Sequence, residues 1–288
     1  MSSTADLGRY AVPHVAFGSP RELGLGEYIG SVGINAEVRS FFYARLKPAK
    51  RLQIVLHGAV RAGKDTYPRF DRISSTRGDD DALVSFADPT IGAYPKVLLG
   101  WYLGGHGWDP LETMVEVVRS AAAAVGAEDV ILIGGSGGGF AAMQLALKLE
   151  GAMAFVFNPQ TAVMRYNRAV VLNYFTHAHP GYTAEAIVSA RPERFDVGLA
   201  YAGAPVKPRI FYAQSIGDSI HVVQHYIPFK RALNMRRVHG EADGVPVRFE
   251  LYDGMREGHG PPLVDEYAGL LRNALHWGRR DAATHPES

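Results

Sequence analysis

The sequence predicts an α/β domain built as a three-layer sandwich, a mostly parallel twisted sheet with helices on both faces and a small helical cap insertion. Two observations lead there. From Leu52 to the end, short apolar runs alternate with stretches of helical spacing, the signature of strand–helix–strand units. One of these runs, Val130-Ile131-Leu132-Ile133, is bounded by glycines and leads directly into strong helix formers, Ala141-Ala142-Met143-Gln144-Leu145-Ala146-Leu147-Lys148-Leu149. At 288 residues, 47% hydrophobic and 20% charged, the chain has ordinary globular composition and enough length for a large core. It is read as one domain over residues 1–288, with 160–205 as the cap or lid insertion.

In chain order, the first 25 or so residues carry Pro13, Pro20 and several glycines and read as an irregular arm. Residues 28–46 contain Glu37-Val38-Arg39-Ser40-Phe41-Phe42-Tyr43-Ala44, expected as an antiparallel strand pair at a sheet edge. Leu52-Gln53-Ile54-Val55-Leu56-His57 is a short buried strand. Ala82-Leu83-Val84-Ser85-Phe86-Ala87 is another, stopped by Pro89. Residues 97–103 are expected to form a further short strand leading into Gly104-Gly105-His106-Gly107-Trp108. A helix then opens with Asp109 as cap, Pro110 in the first turn and Glu112 favouring the dipole. Its apolar positions Leu111, Met114, Val115, Val118, Ala121, Ala122 and Val125 keep helical spacing up to Gly126.

After the glycine-bounded strand and its helix, Ala154-Phe155-Val156-Phe157 is a buried strand followed by Asn158-Pro159. Residues 160–205 break the alternation with Arg, Tyr and His among short apolar patches, and read as short helices capping a site or as a solvated helical face. Alternation returns with Arg209-Ile210-Phe211-Tyr212-Ala213, a helix over 222–236, a last strand Val247-Arg248-Phe249-Glu250-Leu251, and a closing helix over 263–279.

Bulk chemistry excludes several classes. Thirty basic against 29 acidic residues leave a net charge of +1, so no field draws in nucleic acid or an anionic membrane. With no cysteine, disulfides, thiolate zinc sites and a cysteine nucleophile are excluded together. The first ten residues carry Ser, Thr, Asp and Arg where a signal peptide needs an apolar run, and no stretch reaches the 18 or so apolar residues of a membrane helix. A cytoplasmic protein is expected.

Gly134-Gly135-Ser136-Gly137-Gly138 matches G-x-S-x-G between a strand and a helix. In that context the serine sits on a strained turn with its hydroxyl exposed above the sheet, and small neighbours avoid collision with strand and helix. A flexible glycine loop or a phosphate-binding turn is the plain alternative. Reactive groups of such sheets gather at the carboxyl ends of the strands, and three candidates sit there in the order Ser136, Asp218, His259. With His57-Gly58-Ala59 and Gly258-His259-Gly260, these segments resemble the α/β-hydrolase superfamily over roughly residues 50–280.

The resemblance implies a Ser136 nucleophile, His259 as base, Asp218 as its orienting acid, and an oxyanion hole from the backbone N–H groups of Gly137 and Ala59. Asp253 also follows the last strand and is a competing acid, while Asp218 has helix capping as its simpler role. His57, Trp101, His106 and Asn158 are assigned to substrate contact, with packing open for Trp101 and His106 and ordering of the oxyanion loop for His57. His221 and His225 share a helical face, but no third metal ligand is evident and surface histidines are expected; neither metal nor organic cofactor is required.

The expected substrate is a small ester or related acyl compound, polar or sugar-linked, cleaved through an acyl-enzyme. Neither nucleic acid nor membrane is expected as a partner. An acyltransferase on the same triad is the first alternative. From a different class, Gly58, Gly63 and Lys64 nearly make a P-loop, although Asp65 stands where Ser or Thr should bind Mg²⁺. A silent hydrolase fold used only for binding is a further alternative.

Overall fold

The computed structural model describes residues 6–235, 239–242, 244–254 and 258–284. Its frame is a ten-stranded sheet. The strands are β1 (His14–Phe17), β2 (Gly26–Gly33), β3 (Arg39–Leu46), β4 (Arg51–Leu56), β5 (Ala82–Phe86), β6 (Asp129–Gly135), β7 (Met153–Phe157), β8 (Arg209–Ser215), β9 (Gly240–Glu241) and β10 (Val247–Tyr252). They lie in the order β1-β2-β3-β5-β4-β6-β7-β8-β10-β9. From β5 to β10 every pairing is parallel, while β3 runs antiparallel to β2 and β5, and β9 antiparallel to β10.

A strand covered on both faces needs apolar residues without alternation, and β6 shows it. Leu132 packs into one core with Leu52, Ile54 and Leu56 of β4. Its neighbours Ile131 and Ile133 pack with Val55 into the other. After the short helix α1 (Pro89–Ala93), helix α2 (Leu111–Val125) covers the first core with Met114, Val115, Val118 and Val125. The last helix, Val264–Thr284, covers the second with Leu270, Ala274 and Trp277. The predicted three layers are therefore present, and among the described residues no helix is long and apolar enough to cross a membrane.

Two expectations are corrected. The N-terminal arm contains β1, which pairs parallel to β2 and takes the sheet edge outside the expected pair. Residues 97–103 form no strand. Val97, Leu99 and Trp101 are buried, but Trp101 and Tyr102 have φ of 51° and 57°, and the Tyr102 N–H donates to Asp88 Oδ2 at 3.1 Å. The apolar run reflects packing under the helix after β6, against which Leu99 and Trp101 rest, not pairing in a ladder. The expected helix after Asp218 is present, running without interruption from Ser219 to Ala232 with a π turn Val222–Tyr226 inside it; its expected end at 236 lies outside the described residues. Asp109 does more than cap α2: it accepts from the Leu111 N–H and from two nitrogens of the buried Arg194 at 2.7 and 2.8 Å, tying α2 to the run of short helices between 163 and 203.

Candidate active site

Helix α3 (Ser136–Ala146) begins at the residue after β6, and Ser136 takes φ of 54°. A left-handed conformation costs a residue with a side chain on the order of 1–2 kcal/mol. The surrounding glycines make the turn possible through close approach. A Cβ on Gly134 would overlap the Gly138 backbone, one on Gly135 the Phe157 ring, and one on Gly138 the backbone of Leu56 and His57. Gly134→Ala has only backbone to collide with, so it should destabilise the fold by about 1–3 kcal/mol or more. Gly78→Ala, with nothing within 4 Å, should be nearly silent in the same denaturation experiment.

Asp218 lies just past β8 and is 2% exposed. Its Oδ2 is 2.6 Å from His259 Nδ1, and its Oδ1 accepts from the His221 backbone N–H at 3.1 Å. One oxygen of the carboxylate thus caps the following helix while the other meets the His259 ring. Burial alone would raise the Asp218 pKa, but the donors on His221 and His259 outweigh it and hold the carboxyl well below the usual range. Asp253 is exposed, and its backbone carbonyl accepts from Ser215 Oγ. Ser136 and His259 line a common cleft of about 1170 Å³, with Gly58, Ala59, Asn158 and Tyr166.

The remaining candidates divide. Gly58 lies against Ser136 and the Gly137 N–H, and the Ala59 carbonyl accepts from Arg69 Nη1 at 3.0 Å, which anchors the loop after β4. His57 is buried: its Nε2 accepts from the Asp88 N–H at 3.1 Å and its own N–H donates to Tyr102 Oη at 3.0 Å. Trp101 is also buried, its Nε1 donating to Gln160 Oε1. Asn158 donates to the Gly260 carbonyl at 2.8 Å and accepts from the Ser215 N–H at 2.7 Å, tying the His259 loop to β8. His106 stacks on Tyr182 and lines a different cavity, with His179 and Trp108. Gly63 and Lys64 sit in a turn closed by Arg61 and Asp65 at 2.9 Å; the next α-helix starts only at Pro89, so the helix that a P-loop requires is missing.

Three residues of the site carry no pattern that singles them out in the sequence. Gln160 is fully buried; its Nε2 donates to Ser136 Oγ at 3.0 Å and its N–H to the Ser136 carbonyl. Tyr166 lines the cleft beside them. His221, far from the expected surface position, is 2% exposed, and its ring stacks on His259 at 4.1 Å and 10°. Ligand atoms of Asp218, His221 and His259 come within 4.8 Å of one another. The two Nδ1 atoms both face the carboxylate at hydrogen-bond distance, 3.1 and 2.6 Å.

His225 is likewise buried, and its Nδ1 accepts from the Thr161 N–H at 3.2 Å. That bond needs a bare nitrogen. Burial, aided by His221 and Arg165, lowers the His225 pKa from 6.5 to about 3, and burial lowers that of His221 as well. The unfolded chain takes up these protons near pH 6.5 while the folded chain resists. Stability should therefore be full above pH 6.5 and fall as pH drops toward 3, with His225 contributing a loss of about 2 kcal/mol at pH 5 and His221 acting in the same direction. Urea midpoints at pH 7.5 and 5 read this directly, and His225→Asn should flatten the difference.

The central parallel sheet, the helices on both faces and the strand–turn–helix at Ser136 make this an α/β-hydrolase fold. No protein-family model matches the chain, and no curated protein matches it. Among solved structures it is similar to the capsule O-acetyltransferase of Neisseria meningitidis serogroup A, with TM-score 0.60 and 14% identity over 85% of this chain and 96% of that one. An S-formylglutathione hydrolase from Agrobacterium tumefaciens gives TM-score 0.56 and 16% identity over 87% and 93%. Carboxyl esterase 2 of the fungus Tuber melanosporum gives 0.55 and 14% over 93% and 91%. At these identities the likeness concerns the fold.

Proposed function

We propose that the protein is a serine hydrolase that cleaves a carboxylic ester or related acyl bond through an acyl-enzyme on Ser136. The observation that carries the reading is the pairing of His259 Nδ1 with a buried, ionised Asp218 in a cleft that also holds a left-handed Ser136. With Nδ1 donating to Asp218, the His259 Nε2 is the bare nitrogen of a neutral ring and takes the Ser136 proton as Oγ attacks the acyl carbon. The carbonyl oxygen becomes an oxyanion, received by the N–H groups of Gly137 and Ala59, each contributing about 3 kcal/mol to lowering the barrier. Collapse breaks the bond to the leaving alkoxide, which takes the proton from His259. Water then loses a proton to His259 and attacks the acyl-enzyme; the bond between the acyl carbon and Ser136 Oγ breaks, Oγ takes the proton back from His259, and the acid leaves.

Gln160 supports the attack by donating to Oγ, which leaves the hydroxyl proton free for the base. A fluorophosphonate probe tests the reading: it should label the wild type and fail on Ser136→Ala. Equal labelling of both would overturn it.

Acyl transfer is the second reading, favoured by a particular feature. A second groove of about 550 Å³, lined by Met164, Arg165, Asn167 and Gln224, meets the main cleft at Tyr166 and His259. A hydroxyl acceptor lying there would reach the same base that water uses. Product analysis with sugar and polyol acceptors separates the two readings: acyl products that grow with acceptor concentration mean transfer, and hydrolysis indifferent to every acceptor means none.

A further inference from the structure

The cleft holding Ser136 and His259 is rich in arginine: Arg9, Arg61, Arg69, Arg72 and Arg77 all line it, against Asp71 as the one carboxylate among the described lining residues. Most of this charge is already matched. Arg61 pairs with Asp65, Arg69 with Asp65 and Asp71, and Arg77 with Glu27. Arg9 donates to the carbonyls of Thr66 and Pro68. Arg72 is different. Among the described residues its guanidinium forms no ion pair and donates no hydrogen bond. It lies over aromatic rings, its Cζ 3.2 Å from the centroid of Tyr267 and 5.8 Å from that of Phe157.

Its position matters as much as its vacancy. Phe157 is the ring against which Gly135 packs, so one aromatic side chain separates the Arg72 charge from the residue preceding Ser136. The residue is half-buried and held in place, since its own φ is 64° and its carbonyl accepts from Thr76. Burial lowers its pKa, yet a guanidinium remains charged at neutral pH. A fork of N–H donors in the cleft that holds Ser136 matches the geometry of a carboxylate or phosphate.

We propose that the substrate carries an anionic oxygen group, a carboxylate or a phosphate, which Arg72 receives in this cleft while Ser136 attacks the acyl bond. The inference rests on the hydrolase reading for its chemistry, but its binding part stands apart from catalysis. Two matched pairs of esters locate the anion. p-Nitrophenyl pentanoate against mono-p-nitrophenyl glutarate places it in the acyl half; phenyl acetate against 4-acetoxyphenyl phosphate places it in the leaving half. The anionic member of one pair should be preferred in kcat/KM, with the preference shrinking as salt rises. Arg72→Gln should lose about ten- to hundredfold more on the anionic ester than on its neutral partner, mostly through KM. Arg72→Lys should recover part of that loss, and melting curves keep a folding defect separate.

Calorimetric titration of mono-p-nitrophenyl glutarate and of phenyl phosphate into Ser136→Ala, with and without Arg72→Gln, reads the anion site without turnover. Absence of Ser136-dependent cleavage of any ester would sink the hydrolase reading and leave the titration to decide the anion site. Ser136-dependent cleavage with equal rates within both pairs, or a preference and a binding isotherm that Arg72→Gln leaves intact, would overturn the anion site.

Discussion

Ser136→Ala is expected to lower kcat toward an activated ester by about a millionfold, the scale on which loss of a triad serine acts. The argument runs through what the variant keeps. The Gly137 and Ala59 N–H groups, the His259–Asp218 pair and the cleft do not depend on the hydroxyl, so only the residual acceleration from oxyanion binding and positioning survives. A loss of tenfold or less would mean that water attacks directly and Ser136 is a bystander. Stability gives an independent reading. At φ of 54° any Cβ is strained, so Ser136→Gly should melt above Ser136→Ala by about 1 kcal/mol equivalent. Both variants leave the buried Gln160 Nε2 without the Oγ it now meets at 3.0 Å, a cost of about 1–3 kcal/mol that largely cancels in the comparison.

How much of this was legible in the sequence follows from the range of the forces involved. The β6 strand and the glycines after it are local: apolar residues on both faces and small residues at a sharp turn are written in ten consecutive letters. Asp218 and His259 were legible by position, because strand ends converge on one edge of a parallel sheet. What the sequence does not encode locally is which side chains meet across that edge. Gln160 follows a strand like many other polar residues, and only the fold brings its amide to Ser136. His221 and His225 look like a solvated pair at helical spacing, and their burial comes from the segment after β7, where Tyr166 packs near both rings and Thr161 bonds to His225. Residues 97–103 show the opposite failure. An apolar run there has the composition of a strand, yet two left-handed residues at Trp101 and Tyr102 wrap it beneath α3.

The second large effect concerns Asp218. In Asp218→Asn one oxygen becomes an NH₂ group, and the structure decides which. Oδ1 accepts from the His221 backbone N–H at 3.1 Å, and a backbone N–H has no other tautomer. The amide oxygen is therefore pinned on that side, and the NH₂ takes the place of Oδ2, facing His259 Nδ1 at 2.6 Å. To accept from it, His259 must move its proton to Nε2, the nitrogen that has to receive the Ser136 proton. Activity near neutral pH should fall by about 10⁴, as for the equivalent change in serine proteases. The fold should survive, since the cap on His221 is kept. Asp253→Asn, at an exposed side chain, should change the rate little. A crippled Asp253 variant beside an active Asp218→Asn would move the acid role to Asp253. Equal, modest losses in both would mean that Ser136 and His259 work as a dyad, with Asp218 serving only as a cap.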